Sequence, residues 1–202
     1  DPVAAGLEHL GKGEGYVARQ VEGWSGRYRQ ARTGDVGDFE GVMAWLQAKQ
    51  PAKDAATCLI HNDYRFDNLV LNPAPPFEVI GVLDWEMATL GDPLMDLGNA
   101  LAYWVQRDDD SVFRKVRRQP THLPGMLTRR EVIEYYGEQT GTRVDTFDFY
   151  LIFGLFRLAG IVQQIYRRYR DGQAKNPQFA LFGSFTNYLE ERCLRLIEHS
   201  SL

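Results

Sequence analysis

The chain has 202 residues, 44% of them apolar and 25% charged, with a formal net charge of −4. That length can bury a substantial core, and the acidic balance argues against a dedicated nucleic-acid binder. Cys58 and Cys193, the only cysteines, stand in no Cys-x-x-Cys or Cys/His cluster. This speaks against zinc and disulfide scaffolds and favours a reducing, cytoplasmic compartment.

Residues 1–13 read as irregular and "GKGEG" (11–15) as a loop or linker, because no strand precedes it as a nucleotide loop would need. Tyr16, Val17, Val21, Trp24 and Tyr28 recur near a helical period within "EGYVARQVEGWSGRYRQAR" (14–32), which predicts an amphipathic helix. "TGDVGD" breaks it. Asp38 is the expected N-cap of a second helix, Phe39–Lys49, which Pro51 stops. From Thr57 to Asp84 the pattern changes to short strand-like runs, "TCLIH", "NLVLN" and "FEVIGVLD", the last two split by the turn "NPAPP". Helix returns at Pro93 to about Gln106, with Asp92 as its N-cap and Pro93 in the first turn. It returns again at about 129–140, 146–171 and 177–198. "RDDDSVFRKVRRQPTHLPGM" (107–126) reads as a charged loop with a short helical piece, and its basic run as a solvated face. The apolar run 147–166 carries Asp148 and Arg157 and is expected to be a buried helix, so no membrane span is predicted. Tyr103, Trp104, Phe149, Tyr150, Phe153 and Phe156 are expected in the core, though this region could also host an acceptor pocket.

The chemistry concentrates where the strands are. Asp63 follows an apolar strand, Asn68 opens the next, and Asp84 ends the one after. Each alone is most simply a turn residue. If the last two strands form a hairpin, Asn68 and Asp84 meet at its open end with Asp63 nearby. A carboxylate and an amide oxygen suit Mg²⁺, which is held by few protein oxygens plus substrate phosphates. A further aspartate can accept a hydroxyl proton, and together these are the parts of a phosphoryl-transfer site.

"HNDYRFDN" resembles the His-x-Asp-x4-Asn catalytic loop of kinase-fold phosphotransferases, "LDWE" their metal-binding segment, and "GDPLMDL" the stretch that follows it. The wording is similar to the aminoglycoside phosphotransferase and choline kinase group, and above all to the phosphotransferase-like domains related to those fused to acyl-CoA dehydrogenases. The likeness covers roughly residues 55–100. It implies an α+β, mostly helical fold: a protein-kinase-like C-terminal lobe with a small β-hairpin insert carrying the catalytic loop. It makes Asp63 the catalytic base and Asn68 and Asp84 the Mg²⁺ ligands. His61 braces the loop, Asp96 supports it by accepting hydrogen bonds, and Glu86 orients the metal or its waters. Arg65 suits a transferred phosphate, with surface pairing to Asp67 as the alternative.

The resemblance also implies a nucleotide lobe with a strand lysine, and no such strand–lysine pattern is visible in these residues. The expectation is therefore a single domain, 1–202, that forms the helical lobe alone, and Asp1 in place of methionine points to a fragment. The activity implied is ATP- and Mg²⁺-dependent transfer of a phosphoryl group to a hydroxyl of a small molecule, with this piece inactive alone. Fusion to, or association with, an acyl-CoA dehydrogenase-type protein is the partner implied. A catalytically silent binding module is the alternative. A metal-dependent phosphohydrolase fits less well, since no second metal cluster is evident.

Overall fold

The computed structural model describes residues 2–202. Its elements run α1 (Tyr16–Ala31), α2 (Glu40–Lys49), β1 (Cys58–Ile60), β2 (Leu69–Leu71), β3 (Val79–Val82), β4 (Thr89–Gly91), α3 (Pro93–Ala102), α4 (Ser111–Lys115), α5 (Arg129–Thr140), α6 (Phe147–Arg170) and α7 (Phe182–Glu198). Short 3₁₀ turns at Phe66–Asn68 and Trp85–Met87 fall inside the β region.

The apolar run after Phe147 forms α6, which lies at the centre of the fold. Phe149, Ile152, Phe153, Phe156 and Ala159 are almost wholly buried. A helix apolar around most of its circumference must be enclosed, and α3, α7, α1 and α2 do that here. Each large side chain so buried contributes about 1.5–3 kcal/mol. α3 and α6 touch backbone to backbone: a Cβ on Gly98 would collide with the Tyr150 carbonyl, and one on Gly154 with the Gly98 carbonyl. Beside α6, Phe39 packs between Tyr28 (4.7 Å between centroids) and Phe156 (5.7 Å).

The second helix begins one residue later than expected. Phe39, not Asp38, occupies its N-cap with a left-handed backbone (φ 55°) and no side-chain cap. The wholly buried Phe39 ring fixes the turn. Asp38 still accepts from Glu40 N–H at 3.0 Å.

The strands form two antiparallel pairs. β2 and β3 make the expected hairpin, with Leu69 opposite Val82 and a bulge between Val70 and Leu71. β1 pairs instead with β4, Cys58 opposite Gly91. β4 leaves no mark in the sequence, because "TLG" is too short to carry a periodic signal. The helix from Pro93 ends at Ala102 rather than near Gln106, and 177–198 splits into a 3₁₀ turn and α7.

Candidate active site

Loop 61–68, the segment 83–88 after β3 and the start of α3 converge at the open end of the β2–β3 hairpin. Leu83 joins the first two. Its N–H donates to the Asn68 carbonyl at 2.8 Å, and its carbonyl accepts from His61 Nε2 at 2.8 Å. A carbonyl can only accept, so Nε2 carries the proton and Nδ1 is left as an acceptor. Nδ1 then receives the Asp63 N–H at 3.2 Å. His61 thus ties the backbone of Asp63 to the residue that precedes Asp84.

Asp96 holds the loop from below. Its Oδ2 accepts from His61 N–H and its Oδ1 from Asn62 N–H, each at 2.8 Å. Burial pushes its carboxyl above the ordinary range, and these two N–H donors together with the Arg157 charge oppose that rise. Asn62 between them takes a left-handed backbone (φ 66°), which asparagine tolerates better than most residues. Its side chain donates to the Met87 carbonyl (3.0 Å) and accepts from the Tyr16 hydroxyl (3.2 Å). Asn62 therefore fastens the loop to segment 83–88 and to α1.

Asn68 is buried. Its amide donates to the Asp63 carbonyl at 2.8 Å and to Asp63 Oδ2 at 3.1 Å. That spends the nitrogen, while Oδ1 takes no hydrogen bond from the described residues. Asp84 is exposed and sits at φ 64°, ψ 51°, and its carboxylate has no partner among the described residues. Glu86 is likewise exposed and unpaired there.

Arg65 packs on the Tyr103 ring (5.1 Å) and embraces Asp63. Its Nε lies 3.1 Å from Oδ1, and its Nη2 donates to Oδ2 at 3.3 Å. Asp67, the expected alternative partner, is farther away at 3.8 Å.

The structure therefore brings His61, Asp63, Arg65, Asn68 and Asp96 into one bonded network. Asp84 joins it through the backbone of Leu83, and Glu86 makes no bond to it. Among the described residues no cluster of three or more His, Cys, Asp or Glu side chains could hold a metal. The donor set suits a cation that takes few protein ligands: one unpaired amide oxygen and one unpaired carboxylate at the same hairpin end, both hard oxygen donors.

Sequence reading missed four members of this neighbourhood. Tyr16, Asn99 and Arg157 all bond Asn62, and Gln119 accepts the Phe66 N–H at 3.0 Å. All four come from elements remote in sequence, where no local pattern marks them. Two cavities flank the loop. One of about 520 Å³ reaches Arg65 and Tyr103; the other, of about 650 Å³, reaches Asn62 and Met87.

The model of the phosphotransferase enzyme family matches residues 1–132. Mouse acyl-CoA dehydrogenase family member 10 is 35% identical over 193 residues, covering 95% of this chain and 18% of the relative. Human acyl-CoA dehydrogenase family member 11 is 34% identical over 193 residues, covering 94% of this chain and 24% of the relative. The chain thus spans about a fifth to a quarter of the length of these curated relatives. The crystal structure of a candidate aminoglycoside phosphotransferase from Ralstonia eutropha superposes with a TM-score of 0.84 at 32% identity, over 100% of this chain and 61% of that one. On its sequence and its mostly helical, kinase-like fold, the chain belongs to the phosphotransferase enzyme family.

Proposed function

We propose that this chain is the helical lobe of a small-molecule kinase that moves the terminal phosphoryl group of ATP to an alcohol. Asp63 accepts the proton of the acceptor hydroxyl. Asn68 Oδ1 and Asp84 hold Mg²⁺, which when bound neutralises charge on the nucleotide phosphates. Arg65 orients the Asp63 carboxylate, so a direct role at the transferred phosphate would require it to release Asp63. His61 and Asp96 fix the loop from opposite sides, and Glu86 would orient the metal or its waters.

The observation that carries this reading is the division of labour within Asn68. Its nitrogen is fully used in holding Asp63, while its oxygen takes no donor from the described residues at the hairpin end where Asp84 stands. A loop residue with only a turn to make has no need of that arrangement.

The lobe that grips the nucleotide lies outside these 202 residues in this reading. The solved relative extends well beyond the part matched here. The hairpin and its flanks also expose Phe77 (55%), Val79 (50%), Ile80 (62%) and Leu83 (53%), exposed apolar side chains of the kind that a second body covers. The lengths of the curated relatives support a place beside an acyl-CoA dehydrogenase-type domain.

The test is ATP turnover against a panel of hydroxylated metabolites, with the chain alone and with its upstream residues supplied. The chain alone is expected to be inactive and the longer one active. Asp63→Ala should lower the rate by about 10²–10⁴-fold, the usual worth of a positioned general base. Activity that persists in Asp63→Ala removes the base assignment, and robust turnover by the chain alone removes the missing lobe.

A further inference from the structure

The 650 Å³ cavity between α1, α6 and segment 87–90 is lined by five cationic or cationisable side chains, His9, Lys12, Arg19, Arg27 and Arg157, and, among the described residues, by no aspartate or glutamate. Trp24 stands among them with the Arg27 guanidinium 4.9 Å and the Arg157 guanidinium 5.3 Å from its ring centre. The ring lies against α6 at Gly160, where a Cβ would meet it at 3.0 Å. Gly160 is one helical turn from Arg157, so Arg157 and the indole form one built wall, with the exposed Arg27 at its rim.

Arg157 is the telling member. It is 8% exposed, yet it forms no ion pair within 4 Å among the described residues. Its single hydrogen bond to the described residues runs from Nη2 to the Asn62 carbonyl at 3.3 Å. Asp96 exerts a longer-range pull on it, but both Asp96 oxygens are already taken by the His61 and Asn62 N–H groups. A buried cation without a carboxylate partner is costly, and a guanidinium presents a fork suited to carboxylate or phosphate oxygens. Arg19 is partly engaged, because its guanidinium donates to the Gly13 and Glu14 carbonyls. Lys12 and Arg27 have no acidic partner among the described residues.

From this geometry we infer that the cavity is an oxyanion site. It holds a carboxylate or phosphate of the hydroxylated acceptor against Arg157, beside the catalytic loop. This rests on the phosphotransferase reading and narrows it, since a cavity lined in this way repels polycationic aminoglycosides.

The experiment measures binding without nucleotide or metal. The chain is titrated calorimetrically, in EDTA, with pyrophosphate, with citrate and with kanamycin. Saturable binding of pyrophosphate or citrate is expected and none of kanamycin; the tighter of the two anions identifies the phosphate or carboxylate source. Arg157→Met should weaken binding about tenfold, the loss of one charge-assisted contact, and Arg157→Lys should recover part of it. A Lys12→Glu/Arg27→Glu double variant alters only exposed rim positions, so it decides the matter should Arg157→Met fail to fold. Binding of neither anion by the wild-type chain, undiminished binding by the variants, or kanamycin binding of equal affinity overturns the inference. Because the readout needs no turnover, it stands or falls separately from the Asp63 assignment.

Discussion

Asp92 and Asp96 lie one helical turn apart at the start of α3, and both anchor backbone far from their own helix. Asp92 caps α3 through Leu94 and Met95 N–H (2.7 and 3.2 Å) and also takes the Ala55 N–H at 2.6 Å. Its cap role is legible from "GDP", but its grip on the chain ahead of β1 is not. Asp96 spends one oxygen on each of two adjacent N–H groups. Asp96→Asn would set an NH₂ against one of those donors, leaving a buried donor unsatisfied at a cost of about 1–3 kcal/mol. We expect a lower urea midpoint with an unchanged m value. Phosphotransfer by the longer protein should fall further than stability alone explains, because the loop under Asp63 loosens. A drop in activity no greater than that of an equally destabilised core variant would make Asp96 a fold residue only.

At the scale of elements, the loop is positioned by a helix contact some distance from it. Gly98 and Gly154 let α3 and α6 meet at van der Waals range, and α6 then delivers Arg157 to the Asn62 carbonyl. Gly98→Ala forces a methyl into the Tyr150 backbone, which cannot move aside as a flexible side chain would. Overpacking of this kind costs about 1–3 kcal/mol, and thermal unfolding of Gly98→Ala should show that loss. Gly26→Ala, where nothing lies within 4 Å of the new carbon, should instead be neutral or stabilising, since alanine favours the helix. The helices themselves were legible because their periodicity runs over many turns. The pairing of β1 with β4 was not, because three-residue strands carry no period and are stabilised by what lies opposite.

Across the whole molecule, the charged loop after α3 is locked to two helices by one carboxylate. Asp109 bonds Arg129 of α5 at 2.8 Å and Arg192 of α7 at 2.5 Å, with only 4% of its side chain exposed. Burial alone would raise its carboxyl, but the Arg129 hydrogen bond and the charges of both arginines win and hold it below the usual value of 3.8. A carboxylate depressed in the fold stabilises it above the unfolded value and loses that contribution as pH falls through the folded one. The wild-type chain should therefore shed stability as pH drops below 3.8. Asp109→Asn should be destabilised by up to about 3–5 kcal/mol at neutral pH, because the largely enclosed Arg129 guanidinium loses its counter-charge and Arg192 keeps only Asp110 at 3.4 Å. It should also show a flatter acid limb in pH-dependent denaturation. An acid limb as steep as that of the wild type would assign the dependence to other carboxylates.

The sequence by itself determined what is local: the long helices, the hairpin, the Asp92 cap, and the family-like wording of "HNDYRFDN", "LDWE" and "GDPLMDL". It did so because periodicity, turn chemistry and fixed spacings act over a few residues. Tertiary structure alone decided that Arg65 engages Asp63 more closely than Asp67, that Leu83 joins the two halves of the site, and that Arg157 stands buried without a carboxylate beside Asn62. Those outcomes depend on which helices pack against α6. That packing is set by shape and burial across separations such as the 95 residues between Asn62 and Arg157, over which a linear pattern carries no signal.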